Sequence, residues 1–279
     1  MTVLVALAAL GAGVVAPADG AAGAQMALVR RRAHRVTTPR SVRPVQLPVI
    51  SQLLDGSGLG DLLQGLLQPL APAPVVPTVD PAVVSRVVAS TVRVSGPACG
   101  YTVSGSGFSA APDTIVTNAH VVAGMTRPQV LRPDGRSLNA TVVVFDPNRD
   151  LAVLSVPGLG EPALAVGSAT VGGPGAIFGH PQGQAPVDVS PAQVTREVSA
   201  QVDNIYGQPV TRQILVLAAR VEPGDSGAAL VDQTGSVVGV TFAVSTARPL
   251  TAFAVDSQEL APVLSEPRGS AVRTGPCIS

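Results

Sequence analysis

Glu222-Pro223-Gly224-Asp225-Ser226-Gly227 is a turn bounded by glycines, and it opens straight into the apolar run Ala228–Val231. A serine in such a turn gains chemical meaning only beside a base that takes its hydroxyl proton and an acid that orients the base. His120 is the candidate base, in Thr117-Asn118-Ala119-His120-Val121-Val122, where a β-type run ends. Asp150 is the candidate acid, at the head of Leu151-Ala152-Val153-Leu154 and just after the turn residue Asp146. Each residue alone is ordinary. A lone histidine is more often structural, and an acid at a strand start is usually a turn residue.

The order His120, Asp150, Ser226 is what discriminates. An α/β-hydrolase elbow needs Gly-x-Ser-x-Gly and a later histidine, whereas Ala228 replaces the last glycine and no histidine follows Ser226. A subtilisin-like order needs an acid before the histidine in an α/β sheet, and helix-period segments are nearly absent here. That leaves the chymotrypsin-type arrangement. The surrounding chain agrees: short β-type runs fall at Thr91–Val94, Tyr101–Phe108, Thr114–Thr117, Ala140–Phe145, Leu151–Val156, Gly175–Phe178, Gln213–Ala218, Ser236–Phe242 and Thr251–Val255. Their spacing predicts an all-β sandwich or barrel, and periodicity does not choose between the two.

The segments TNAHVVAG (117–124), DPNRDLAVLSVP (146–157) and EPGDSGAALVD (222–232) resemble the three signature blocks of trypsin-like serine proteases. With the cysteine segments PACG (97–100) and TGPC (274–277), the type resembled is the membrane-anchored periplasmic protease of mycobacteria associated with acid resistance. The resemblance implies two six-stranded β-barrels, 90–159 and 162–260, with the site in the cleft between them. His120 would be general base and acid, Asp150 its orienting partner, and Ser226 the nucleophile. The N–H groups of Gly224 and Ser226 would form the oxyanion hole. Phe242 and Ala243 match positions that pair with substrate backbone and shape the primary pocket, and Asp146 is a bystander.

Two departures stand out. Ala228 and Ala229 replace the usual Gly-Pro, and no Ile-Val-Gly-Gly start is present, so a nearby arginine is expected to serve Asp225. No cofactor or metal is expected: His34 and His180 are far apart and lack companion ligands, and His180 reads as a loop residue. Arg220 and Glu222 read as pocket-edge or surface-loop residues.

The remaining sequence places the protein. Eighteen basic and eighteen acidic residues give zero net charge, so no basic field points to nucleic acid. Residues 1–29 read as a signal-like or membrane-anchor segment, followed by an Arg- and Pro-rich linker, 30–79, and a protease domain, 80–279. Asp80-Pro81 is an N-cap pair, and Val83, Val84, Val87 and Val88 give the helix that follows an apolar face closing the barrel edge. Cys99 and Cys277, the only cysteines, are expected to pair, as an even count in an exported chain favours. The functional expectation is an extracytoplasmic, periplasmic or secreted serine endopeptidase acting on proteins or peptides of the cell envelope, with membrane association through the N-terminus. The alternatives are an inactive two-barrel binding domain, prompted by Ala228-Ala229, and an exported esterase using the same site.

Overall fold

Leu151-Ala152-Val153-Leu154 has no polar face, so a strand built from it must be covered on both sides. In the computed structural model, which describes residues 79–278 and the backbone of Ala8–Ala9, that cover is two cores meeting at one strand. Leu151 and Val153 join Phe108, Val116, Phe178, Phe242 and Val255 in the joint between two sheets. Ala152 and Leu154 point the other way, into the core of the first sheet with Val92, Val94, Ile115 and Val130. A third cluster, with Ile177, Leu215, Leu217, Leu230 and Val238, fills the second sheet. Alternation is present along these strands, but between two apolar environments, which is why their sequence looks uniformly apolar.

The strands are β1 (Ala8–Ala9), β2 (Thr91–Ala98), β3 (Tyr101–Ala111), β4 (Thr114–Thr117), β5 (Gln129–Leu131), β6 (Ser137–Asn139) and β7 (Thr141–Asp146). They continue with β8 (Leu151–Ser155), β9 (Pro174–Gly179), β10 (Asp188–Asp203), β11 (Pro209–Ala219), β12 (Ala229–Asp232), β13 (Val237–Val244) and β14 (Thr251–Asp256). The first sheet runs β6-β5-β2-β3-β4-β8-β7; the second runs β1-β13-β12-β9-β10-β11-β14, and β13 also pairs with β14.

The expectation of two six-stranded barrels is therefore corrected to two seven-stranded sheets with some helix. In the first sheet the additional strand arises at Ala140, which interrupts one run so that β6 pairs with β5 and β7 with β8. In the second it is β1, laid antiparallel on the edge of β13 with Ala8 opposite Val244 and Ala9 opposite Ala243.

The helix Pro81–Ser90 begins where expected, with the Asp80 carboxylate accepting from Ala82 N at 2.7 Å. It buries Val87 in the inter-sheet core, and its Arg86 donates to the Thr234 carbonyl in the turn after β12. The tail after the helix Leu260–Ser265 returns along the first sheet, where Val272 N donates to Val142 O at 2.9 Å and Gly124 N to Thr274 O at 3.1 Å. A disulfide between Cys99 and Cys277 ends that path. Cys99 (φ 57°) and Gly100 (φ 85°) form the two-residue turn between β2 and β3, a left-handed pair whose twist matches a hairpin. Apart from Ala8–Ala9 and Val79, the segments 1–29 and 30–79 lie outside the described residues. Among the described residues no helix is long and apolar enough to cross a membrane.

Candidate active site

β4 ends at Thr117, and the one-turn helix Ala119–Val122 presents His120 at the joint between the sheets. Asp150 lies at the start of β8 with φ 56°, a left-handed conformation uncommon for a non-glycine residue. Its carbonyl is held by Asn118 Nδ2 at 2.8 Å. Its carboxylate is held twice by one residue: His120 N donates to Oδ1 at 2.9 Å, and His120 Nδ1 lies 2.8 Å from Oδ2. An ionised carboxylate only accepts, so the second contact places the proton on Nδ1 and leaves Nε2 as the basic atom of the neutral ring. Nε2 is buried and has no partner among the described residues.

The 222–227 turn is fixed carbonyl by carbonyl. Pro223 O accepts from Gln182 N at 2.5 Å, Gly224 O from Ser106 Oγ at 2.7 Å, Asp225 O from Ala228 N at 2.9 Å, and Ser226 O from Ser106 N at 2.8 Å. A trans peptide holds its N–H opposite its C=O, so pinning the Pro223 and Asp225 carbonyls aims the N–H groups of Gly224 and Ser226 away from those anchors. Glycine is required at both ends. Gly224 has φ 102° and a Cβ there would come within 2.5 Å of His180 O, while Gly227 has φ 86° and its Cβ would meet Ser106 O. The turn and the histidine helix approach each other across Gly105. A Cβ on that residue would come within 2.7 Å of Val121 and 3.0 Å of Ser226 O.

Residues 105–240 match the model of the trypsin-like peptidase domain family. The serine protease Rv3671c of Mycobacterium tuberculosis is 37% identical over 244 residues, 82% of this chain and 60% of the relative. The crystal structure of the active form of its protease is 36% identical, with TM-score 0.68, over 76% of this chain and 99% of that one. This chain belongs to the trypsin-like serine proteases. An inactive form of the same mycobacterial protease superimposes with TM-score 0.63 at 34% identity, over 73% of this chain and 100% of that one. A probable periplasmic DegP-like serine endoprotease of Chlamydia pneumoniae is 35% identical over 147 residues, 51% of this chain and 29% of the relative. The chain spans about 60% of the length of the curated mycobacterial relative.

In this trypsin-like protease Asp225 has no arginine partner among the described residues, which corrects the sequence expectation. Oδ2 accepts from Glu222 N at 2.9 Å, and Arg220 instead pairs with Glu222 at 2.8 Å on the exposed side. Burial pushes the Asp225 pKa up to about 6, partly offset by the Glu222 N–H and reinforced by the charges of Asp188 and Glu222. Those three acids line a cavity of about 260 Å³ with Arg220, Gln184 and Ser190. Asp146 caps its own turn and pairs with Arg149 at 2.8 Å, away from His120.

Phe242 and Ala243 are both buried in β13, and Ala243 faces β1 on one side and Phe253 on the other. Over the Phe242 ring, 5.0 Å from its centroid, lies the guanidinium of Arg212, a residue the sequence reading passed over. Arg212 is 4% exposed, its pKa is lowered by burial and raised again by Asp150, Glu259 and Asp146, and its Nε and Nη1 have no partner among the described residues. A cation opening the apolar run Gln213–Ala218 was the available signal. His180 is indeed a loop residue, but buried; its N–H donates to Ser106 Oγ at 2.8 Å, and burial lowers its pKa.

Proposed function

We propose that the chain is an exported serine endopeptidase in which Ser226, His120 and Asp150 form the catalytic triad. His120 Nε2 takes the Ser226 hydroxyl proton as Oγ attacks the peptide carbonyl, and returns it to the leaving amine. Water then releases the acyl group by the same route reversed. Asp150 holds the ring in the tautomer that leaves Nε2 basic. The N–H groups of Gly224 and Ser226 stabilise the oxyanion, a contribution for which loss of one donor typically costs about 2.7–4 kcal/mol in the barrier. The observation that carries this reading is the paired hold of His120 N and Nδ1 on one buried carboxylate.

The substrate class is protein or peptide. The edge of β13 at Ala243 and Val244 accepts an antiparallel backbone, as its pairing with Ala8–Ala9 illustrates, and an extended peptide bound there would run beside Phe242 toward Ser226. The working place is outside the cytoplasm. The Cys99–Cys277 bridge suits an oxidising compartment, and one relative is described as periplasmic. Residues 1–29 would direct export or anchor the chain, 30–79 would be a linker, and 80–279 the catalytic domain built on the two sheets. Turnover of a denatured protein substrate tests this. Ser226→Ala and His120→Ala should each lower kcat/KM by at least about a thousandfold. A Ser226→Ala protein retaining more than about a tenth of wild-type activity overturns the mechanism.

A further inference from the structure

Gly224 is a point of conformational freedom in the proposed oxyanion-binding turn, because a glycine has access to backbone conformations closed to other residues. Strand β3 restrains it from the other sheet through one residue. Ser106 is fully buried, and each of its polar groups is engaged. Its N–H donates to Ser226 O at 2.8 Å, its Oγ donates to Gly224 O at 2.7 Å and accepts from His180 N at 2.8 Å, and its carbonyl accepts from Thr117 Oγ1 at 2.6 Å. The Ser106 hydroxyl thus joins the turn of Ser226 to the loop after β9, and the Ser106 backbone carbonyl adds, through Thr117, the strand that leads to His120.

We propose that Ser106 is a positioning residue for the oxyanion hole, its hydroxyl locking the Gly224 carbonyl to β3 so that the N–H groups of Gly224 and Ser226 converge on one point. The inference rests on the proposed function, which makes those two groups the donors. Its neighbours favour the arrangement. A Cβ on Gly105 would collide with Val121, and one on Gly107 would come within 2.8 Å of Ile115, so two glycines let β3 sit close enough for Ser106 to reach across. Ser104 supplies the contrast. It lies on the same face of β3, two residues earlier, and is equally buried, yet its hydroxyl has no partner among the described residues. Loss of the Ser106 hydroxyl leaves the Gly224 carbonyl and the His180 N–H without their bond, and Gly224 free to turn.

The test is a kinetic comparison of wild type, Ser106→Ala, Ser106→Thr and Ser104→Ala. Rates are expressed per fluorophosphonate-titrated site, so that unfolded chain is not counted. Ser106→Ala should lower kcat about 10- to 100-fold with KM within about twofold of wild type, because the defect appears in the tetrahedral state and not in the bound ground state. A peptidyl boronate, which forms a tetrahedral adduct, should lose affinity by the same factor as kcat/KM, while a product peptide should bind unchanged. Ser106→Thr, which keeps a hydroxyl, should recover most of the loss, and Ser104→Ala should match wild type. If Ser106→Ala yields no titratable site, Ser106→Gly takes its place with the same expectation. A Ser106→Ala kcat within about twofold of an active wild type, or an equal loss in Ser104→Ala, overturns this inference alone. A wild type that neither turns over nor binds the boronate overturns the proposed function, and this inference with it.

Discussion

Asp225 lies between Gly224 and Ser226, the proposed oxyanion donors, and it is 4% exposed with no arginine partner among the described residues. Its folded pKa of about 6 stands above the ordinary carboxylate value of 3.8. The folded state therefore keeps a proton that the unfolded chain has already released. The resulting stabilisation is fully present below about pH 4 and is lost as pH rises through about 6. Melting temperatures across that range should fall with pH more steeply in wild type than in Asp225→Asn, which cannot ionise. Equal slopes would show that Asp225 titrates as a solvated carboxylate does. At this scale His120, Asp150 and Ser226 were legible as candidates because the order in which they follow one another along the chain differs between the folds that carry such a set, and the structure brings His120 and Asp150 together. Ser106 and Arg212 were not, since each acts through partners distant in sequence: Gly224 and His180 for one, the Phe242 ring for the other.

At the scale of elements, strands with both faces buried announced themselves and half-covered ones did not. β4 and β8 read as apolar runs because their alternate residues enter two cores. β10, the longest strand, reads Asp-Val-Ser-Pro-Ala-Gln-Val-Thr-Arg-Glu-Val-Ser-Ala-Gln-Val-Asp and was not expected. Its buried positions include the small residues Ala192 and Ala200, and a register shift between Val194 and Arg196 breaks its period. β5 and β6 are three residues each, too short to carry a pattern. The helix Pro81–Ser90 was legible from its cap, because Asp80-Pro81 supplies an acceptor and a preset φ where the first turn needs them. Asp80→Ala should cost about 1 kcal/mol of stability, read as a lower denaturation midpoint, and leave kcat unchanged. No change in midpoint would mean that tertiary contacts alone hold the helix.

Across the whole molecule the chain closes on itself. The bridge Cys99–Cys277 spans 178 residues and ties the β2–β3 turn to the end of the tail, so it encloses nearly all of the described protein. In the chain-entropy model such a loop is worth roughly 5 kcal/mol, an upper bound. A Cβ on Gly124 would come within 2.9 Å of Cys99 Sγ, so the bridge packs against the segment that follows the histidine helix, while His120 itself is held by Asp150. Reduction should lower Tm by several degrees while turnover at lower temperature persists. Loss of turnover with unchanged Tm would place the bridge in the catalytic machinery instead. The central claim, that this fold brings Ser226 to His120 as an activated nucleophile, is tested most directly by labelling with a fluorophosphonate and locating the adduct by peptide mass. One adduct is expected, on Ser226, absent from Ser226→Ala and strongly slowed in His120→Ala; a folded wild type that takes no label, or takes it elsewhere, would rule out Ser226 as the nucleophile.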